Sequence, residues 1–257
     1  MIFRQLFDHE SYTYTYILAD EASKEAVIID PVDAMFERDM RVLTQLGLTL
    51  KYTMETHIHA DHVTASGRLR DHTGAQSVAS QKAQVSCISQ AVDHGDRLSF
   101  GEHTVEVRHT PGHTDGCVSY IVRDGDRTLA FTGDALLVRG CGRTDFQQGS
   151  AHVLYRSVHE QLFTLPDDTL IYPAHDYRGH TVTTVWEERA HNPRLKDGVE
   201  LETFVEIMAN LKLSHPKWMD VAVPANLSCG LSAHAPASVD TVPQGAPTPT
   251  PRTQKES

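Results

Sequence analysis

No CxxC pair occurs among Cys87, Cys117, Cys141 and Cys229, the four cysteines of this 257-residue chain. Neither a thiolate zinc knot nor a disulfide framework is therefore signalled, and a reducing cytoplasm is the expected location. No stretch approaches the roughly 20 apolar residues that span a bilayer. The N-terminal segment MIFRQLFDHESYTYTYILAD lacks the basic head and apolar centre of a secretory signal, and also the Arg-rich, acid-poor texture of an organellar transit peptide. Positive charge is scarce: 23 Lys and Arg face 34 Asp and Glu, for a formal net charge of -11. Such a field repels phosphate backbones and anionic leaflets, which argues against nucleic-acid and membrane partners and for a small solute.

What is present is an ordinary globular balance, 40% hydrophobic and 22% charged residues, in a length that suits one large domain or two small ones. A single folded domain is expected over residues 1–231. Residues 232–257, SAHAPASVDTVPQGAPTPTPRTQKES, are rich in Pro, Ala, Thr and Ser and are too poor in large apolar side chains to repay the entropy of ordering, so a disordered tail is expected there. Alternation predicts strands at the N-terminus, in YTYTYIL and in AVIID. Phe36, Met40 and Leu43 then predict a helix capped by Asp33 and ending near Gly47. LTLKYTMET reads as a strand and ASGRLRDHTG as a short helix, followed by strands at RLSF, HTVEVRH, CVSYIVR and RTLAFTG. Beyond residue 150 the texture turns helical, interrupted by the strand TLIYPAH. Trp186, Trp218 and the stripe Phe204, Ile207, Met208 and Leu211 are expected in the core or in a subunit contact.

Histidine is abundant, 16 in all, and three of them crowd into THIHADH at 56–62. A solvated loop is the plain alternative, yet neutral imidazoles packed with a carboxylate form a divalent-metal donor set. His57, His59, Asp61 and His62 follow the strand LTLKYTMET; His113 in HTPGH, Asp134 in TGD and His175 in YPAH each follow a later strand. Strand ends converge in layered structures, so these residues can meet in one cleft. The residues alone do not choose which of the seven donors bind.

THIHADH with HTPGH, TGD and YPAH resembles the metallo-β-lactamase superfamily. The resemblance implies an α+β, αββα sandwich: two mixed sheets flanked by helices, with the metal site at the open edge. The further segments GDALLVRGCGRTDFQQGS, PAHDYRGHTVTTVWEER, NPRL and VPANLSCG resemble the glutathione persulfide dioxygenase family, which includes the ethylmalonic encephalopathy protein. This match runs over residues 2–231. It implies oxidation of glutathione persulfide by O2 and water to sulfite and glutathione at one Fe(II) per chain, in a homodimer. Carried over, the iron ligands and catalytic residues are His57, His113 and Asp134, while His59, Asp61, His62 and His175 surround them or mark a vacant second-metal position. Glutathione carries two carboxylates, so Arg143 is the expected substrate-binding cation, with Tyr177 as a hydrogen-bonding neighbour and Arg139 and Arg178 in reserve. Cys141 is read as a buried filler beside the cleft, with a redox role as its alternative, and Cys117 and Cys229 as packing residues. The rival activity is a glyoxalase II-type thioesterase, in which the same donors hold two metals to activate water.

Overall fold

Residues 1–231 are described by a computed structural model of the chain. The expectation for residues 232–257 lies outside the described residues. The three N-terminal segments, rich in aromatic and β-branched side chains that suit a pleated surface, form an antiparallel meander: β1 (Ile2–Asp8), β2 (Thr13–Ala19) and β3 (Glu25–Ile29). Helix α1 (Phe36–Gln45) follows and stops where Gly47 adopts a left-handed backbone. Asp33 does not cap it. It opens a separate 3-10 turn, Asp33–Met35, and accepts a hydrogen bond from Arg68, so the acidic residue ties α1 to a neighbouring helix.

Strand β4 (Thr49–Met54), helix α2 (Ser66–Thr73) and strands β5 (Gln76–Ser80) and β6 (Gln90–Val92) complete the first sheet, which runs in spatial order β1-β2-β3-β4-β5-β6. Its β3 to β6 pairings are all parallel. The second sheet begins with β7 (Arg97–Phe100), β8 (His103–His109), β9 (Val118–Asp124) and β10 (Arg127–Gly133). After helix α3 (Ala151–Ser157), which continues into a wide π turn at Val158–Leu162, β11 (Leu170–Pro173) joins β10 in parallel and β12 (Thr183–Thr184) closes the edge. Helices α4 (Val185–His191), α5 (Leu201–Ala209) and α6 (Met219–Asn226) finish the domain. At α4 the Thr184 hydroxyl and the Glu187 carboxylate satisfy each other's backbone N–H groups in a capping box.

Three apolar layers hold these elements together. Tyr16, Val27, Met54 and Val78 of the first sheet meet Phe100, Val107, Tyr120 and Phe131 of the second in the central layer. Ile17, Ile28, Phe36 and Leu69 pack α1 and α2 on one outer face. Ile121, Ile171, Leu154 and Phe204 pack α3 and α5 on the other. The result is the expected helix-sheet-sheet-helix sandwich of mixed sheets. Phe204 and Met208 are buried as expected, whereas Trp186 and Trp218 are 55% and 59% exposed and belong to no core layer. Phe131→Ala should therefore cost about 3–5 kcal/mol in urea unfolding, and Trp186→Ala less than about 0.5 kcal/mol; comparable losses would contradict this layering.

Candidate metal centre

Four strands deliver the expected donors to one edge of the sandwich. The loop after β4 carries His57, His59, Asp61 and His62; His113 follows β8, Asp134 directly follows β10, and His175 lies just beyond β11. Ligand atoms of His57, His113 and Asp134 all lie within 4.8 Å of one another, as do those of His59, Asp61 and His62 and those of His57, His59 and His175. The His57 and His113 rings stand nearly perpendicular, with centroids 5.0 Å apart. His113 Nε2 lies 3.5 Å from Asp134 Oδ2, and His175 Nε2 lies 3.7 Å from Asp134 Oδ1. Asp134 thus stands between the two halves of the donor cluster. All seven sequence-derived donors are brought together.

Hydrogen bonds on the far side of the imidazoles decide which nitrogens are available. His113 Nδ1 is 2.7 Å from the Arg143 carbonyl oxygen. A carbonyl can only accept, so Nδ1 carries the proton and the Nε2 lone pair is left free. His57 is fixed by a relay. The Thr56 hydroxyl donates to Asp30 at 2.8 Å, so it accepts from His57 Nδ1 at 3.0 Å, and again Nε2 is free. The Thr56 backbone N–H also donates to Asp30, at 2.7 Å, which holds the start of the loop rigidly. On the Asp30 side, His59 Nε2 approaches the same carboxylate at 3.2 Å. Gly142 lets the backbone pass close by: a Cβ there would sit 2.8 Å from His113 Nδ1.

The remaining donors are tied to one another. Asp61 accepts from His62 Nδ1 at 2.9 Å and from the Thr13 hydroxyl at 3.1 Å, and it faces His175 Nε2 at 3.5 Å. Thr13 is in turn linked to Ser11, and Ser11 to the buried Asp8. Burial first, then the neighbouring imidazoles, hold His57 and His59 well below the usual histidine range, so both are neutral. Burial opposes charge on Asp61, but His175 and His62 outweigh it and keep its carboxyl well below the usual range. Burial likewise opposes a proton on His175, yet Asp61 and then Asp134 raise its pKa.

These residues fit a bound metal. Among the described residues, Asp134 Oδ1, His62 Nε2 and His59 Nδ1 are buried without hydrogen-bond partners, a costly arrangement unless an ion or water meets them. Neutral imidazoles and a carboxylate are also the donors a divalent transition metal takes.

Two aromatic rings flank the donor cluster: Tyr177 stacks near His175 and tilts against Tyr12 at 5.3 Å, and the two are 65% and 45% exposed. Arg143 sits beside the site, but its guanidinium grips Asp145 through two hydrogen bonds of 2.6 and 2.8 Å, donates to the Ser214 carbonyl and lies over Phe146. A substrate carboxylate must compete with Asp145 for it. Arg139 is absorbed by Glu187 and Glu188. Cys141 and Cys117 are buried, and burial pushes their thiols up to about 11 and about 12, which leaves both as protonated packing groups. Cys229 is a correction. It is disulfide-bonded to Cys87, 142 residues away, because the chain after α6 folds back onto the loop between β5 and β6, a proximity that spacing could not reveal.

Sequence reasoning missed Asp30, Thr56 and Thr13. Asp30 ends the strand AVIID, so the rule that flagged the other donors, a ligand-competent residue at a strand end, covers it too.

The metallo-beta-lactamase superfamily profile matches residues 10–175. The chain belongs to that superfamily. Over 232 residues it is 53% identical to "Persulfide dioxygenase ETHE1, mitochondrial" of Homo sapiens, covering 90% of this chain and 89% of the relative. The crystal structure of ETHE1 from Myxococcus xanthus superposes with a TM-score of 0.86 at 54% identity, covering 90% of this chain and all of that one. "Hydroxyacylglutathione hydrolase cytoplasmic" of Arabidopsis thaliana is 33% identical over 64% of each chain.

Thr56→Val removes the relay to His57 and should weaken metal affinity by about 10–100-fold in chelator competition; unchanged affinity would show that the relay does not orient the ligand. In metal-free protein His57 and His59 should oppose folding as pH falls below about 6.5, against Asp30, Asp39 and Glu55, whose carboxyls burial raises so that the folded state takes up their protons first. In that window the unfolded histidines take up protons while buried His57 and His59 do not, and His175, with its pKa shifted upward, has already made its contribution. An NMR titration of the metal-free protein in which the His57 and His59 rings take up protons between pH 6.5 and 5 would contradict the neutral assignment.

Proposed function

We infer that this chain is a persulfide dioxygenase, oxidising glutathione persulfide with O2 and water to glutathione and sulfite at a single ferrous ion. The observation that supports it is the trio His57, His113 and Asp134, gathered with free Nε2 and carboxylate lone pairs in a chain 53% identical to a persulfide dioxygenase over 90% of its length. Two imidazoles and one carboxylate on one face are the ligand set of non-haem iron oxygenases and leave positions open for substrate and oxygen. Bound there, ferrous iron supplies a shared coordination point for the persulfide sulfur and O2 and the electrons that start the reaction.

The protein's own groups do the rest. Hydrogen bonds at Nδ1 keep both imidazoles facing the site as neutral donors. Asp61, His62, His175 and Thr13 form a polar wall on the far side of Asp134, able to hold water and to take up the protons released with sulfite. Tyr12 and Tyr177 offer an apolar flank to the thiol carrier. Its carboxylates need cations: Arg178 follows Tyr177 directly, is exposed and has no side-chain partner among the described residues, while Arg143 becomes available only by sharing Asp145. A homodimer and a cytoplasmic location belong to the same proposal; sedimentation and cell fractionation test them.

Iron content measured beside O2 uptake with glutathione persulfide tests the activity. One iron per chain, with one O2 consumed per sulfite formed, is expected. Two metals with anaerobic cleavage of an acylglutathione would replace this reading with the thioesterase. Asp134→Ala should lose bound metal and turnover together, whereas Arg143→Ala should raise KM about tenfold while metal content is kept; full metal and turnover in the Asp134 variant would overturn the ligand assignment.

A further inference from the structure

The end of α6 and the residues that follow it lie directly against the metal-bearing loop. Asn226 is 3% exposed, and its side chain is fully used on backbone of that loop. Its Nδ2 donates to the carbonyls of His59 and His62, each at 2.9 Å, and its Oδ1 accepts from the Thr64 N–H, also at 2.9 Å. One amide therefore fixes both ends of the HADHVT stretch. Next in the chain, Gly230 presses on the Thr64 carbonyl so tightly that a Cβ would collide with it, and the Gly67 N–H donates to the Cys229 carbonyl at 3.0 Å.

Little else anchors this segment. Helix α6 contains Pro224, exposes Val221 and, just past its end, Leu227, and besides Asn226 buries only the small Ala222 and Ala225. Its apolar neighbours form a small satellite cluster around Ile58, Ala79 and Val85. The strongest attachment is covalent, the Cys87–Cys229 disulfide to the loop between β5 and β6. A small cavity separates His57 from Cys229 and is walled by Asn226 and Glu55, so the disulfide bounds the space into which the ligand loop can move.

We propose that residues 226–231 form a latch on the metal-ligand loop, that Asn226 is its positioning residue, and that the Cys87–Cys229 disulfide makes the hold on the metal redox-dependent. Opening the latch takes two electrons and two protons. Two glutathione thiols supply them, yielding the Cys87 and Cys229 thiols and glutathione disulfide, with attack at the half-buried Cys87 end. Reduction leaves α6 held by Asn226, the Ser86 contacts to the Leu227 carbonyl and small apolar groups. The loop then samples open states more often, and the metal escapes faster. This rests on the metal site alone, whichever ion the protein carries.

The test is the rate at which a chelator strips the fully loaded protein, measured with ferrous iron and with cobalt(II) as a stand-in. Oxidised wild type is expected to release slowest. Wild type reduced with glutathione and oxidised-buffer Cys87→Ser are expected to release about tenfold faster and at equal rates, with no further effect of thiol on Cys87→Ser. Asn226→Ala is expected to release at least as fast as these while keeping a cooperative thermal transition. Hydrogen exchange adds a readout on wild type itself: the Thr64 amide should lose protection on reduction. Release and Thr64 protection unchanged by reduction would overturn the redox dependence, and a folded Asn226→Ala that releases metal at the wild-type rate would overturn the positioning role.

Discussion

Imidazole is an ambivalent group, and the site depends on resolving that ambivalence. Each ring must present a lone pair toward the metal and a proton away from it, and burial alone sets neither direction. Here the proton positions are set by the groups behind the rings: the Arg143 carbonyl, which can only accept, behind His113, and Asp30, which accepts from the Thr56 hydroxyl and backbone N–H, behind His57. A carboxylate buried at the end of β3 is costly to desolvate, and burial raises its pKa despite the pull of His57 and Thr56. That cost is borne by the fold, whose central apolar layer fixes β3 and β4 side by side so that Asp30 and Thr56 meet.

The same arrangement separates two kinds of donor around Asp134. On one side stand two imidazoles whose outer nitrogens are committed and whose inner ones are free. On the other stand Asp61, His62 and His175, engaged with one another and with Thr13. This second cluster is satisfied only in part: His62 Nε2 is buried without a hydrogen-bond partner among the described residues. His59 sits between them, neutral, with Asp30 and Glu55 on its far side.

Much of this was legible in the sequence, and for a physical reason. Strand alternation and the ligand-bearing residues after LTLKYTMET, HTVEVRH, RTLAF and TLIYP are local signals, and the sandwich brings those strand ends to one edge. β5, β6 and β12 escaped notice because they are short and polar, stabilised by their neighbours more than by their own pattern. The exposure of Trp186 and Trp218 removes the core reading and leaves the subunit contact, since size and apolarity alone do not choose between the two. The Cys87–Cys229 bond and the three hydrogen bonds of Asn226 join residues more than 140 positions apart, and no spacing rule reaches that far. Arg143 was singled out for its charge, whereas the structure engages that charge with Asp145 and uses the residue's carbonyl oxygen to hold His113.

The most direct test of the account is a crystal structure of the metal-loaded protein with anomalous scattering recorded at the iron edge. The account predicts one ion per chain, bound by Nε2 of His57, Nε2 of His113 and the Asp134 carboxylate, with Thr56 and the Arg143 carbonyl still on the outer nitrogens. Two ions bridged by Asp134, or ligation through Nδ1 of either histidine, would contradict it.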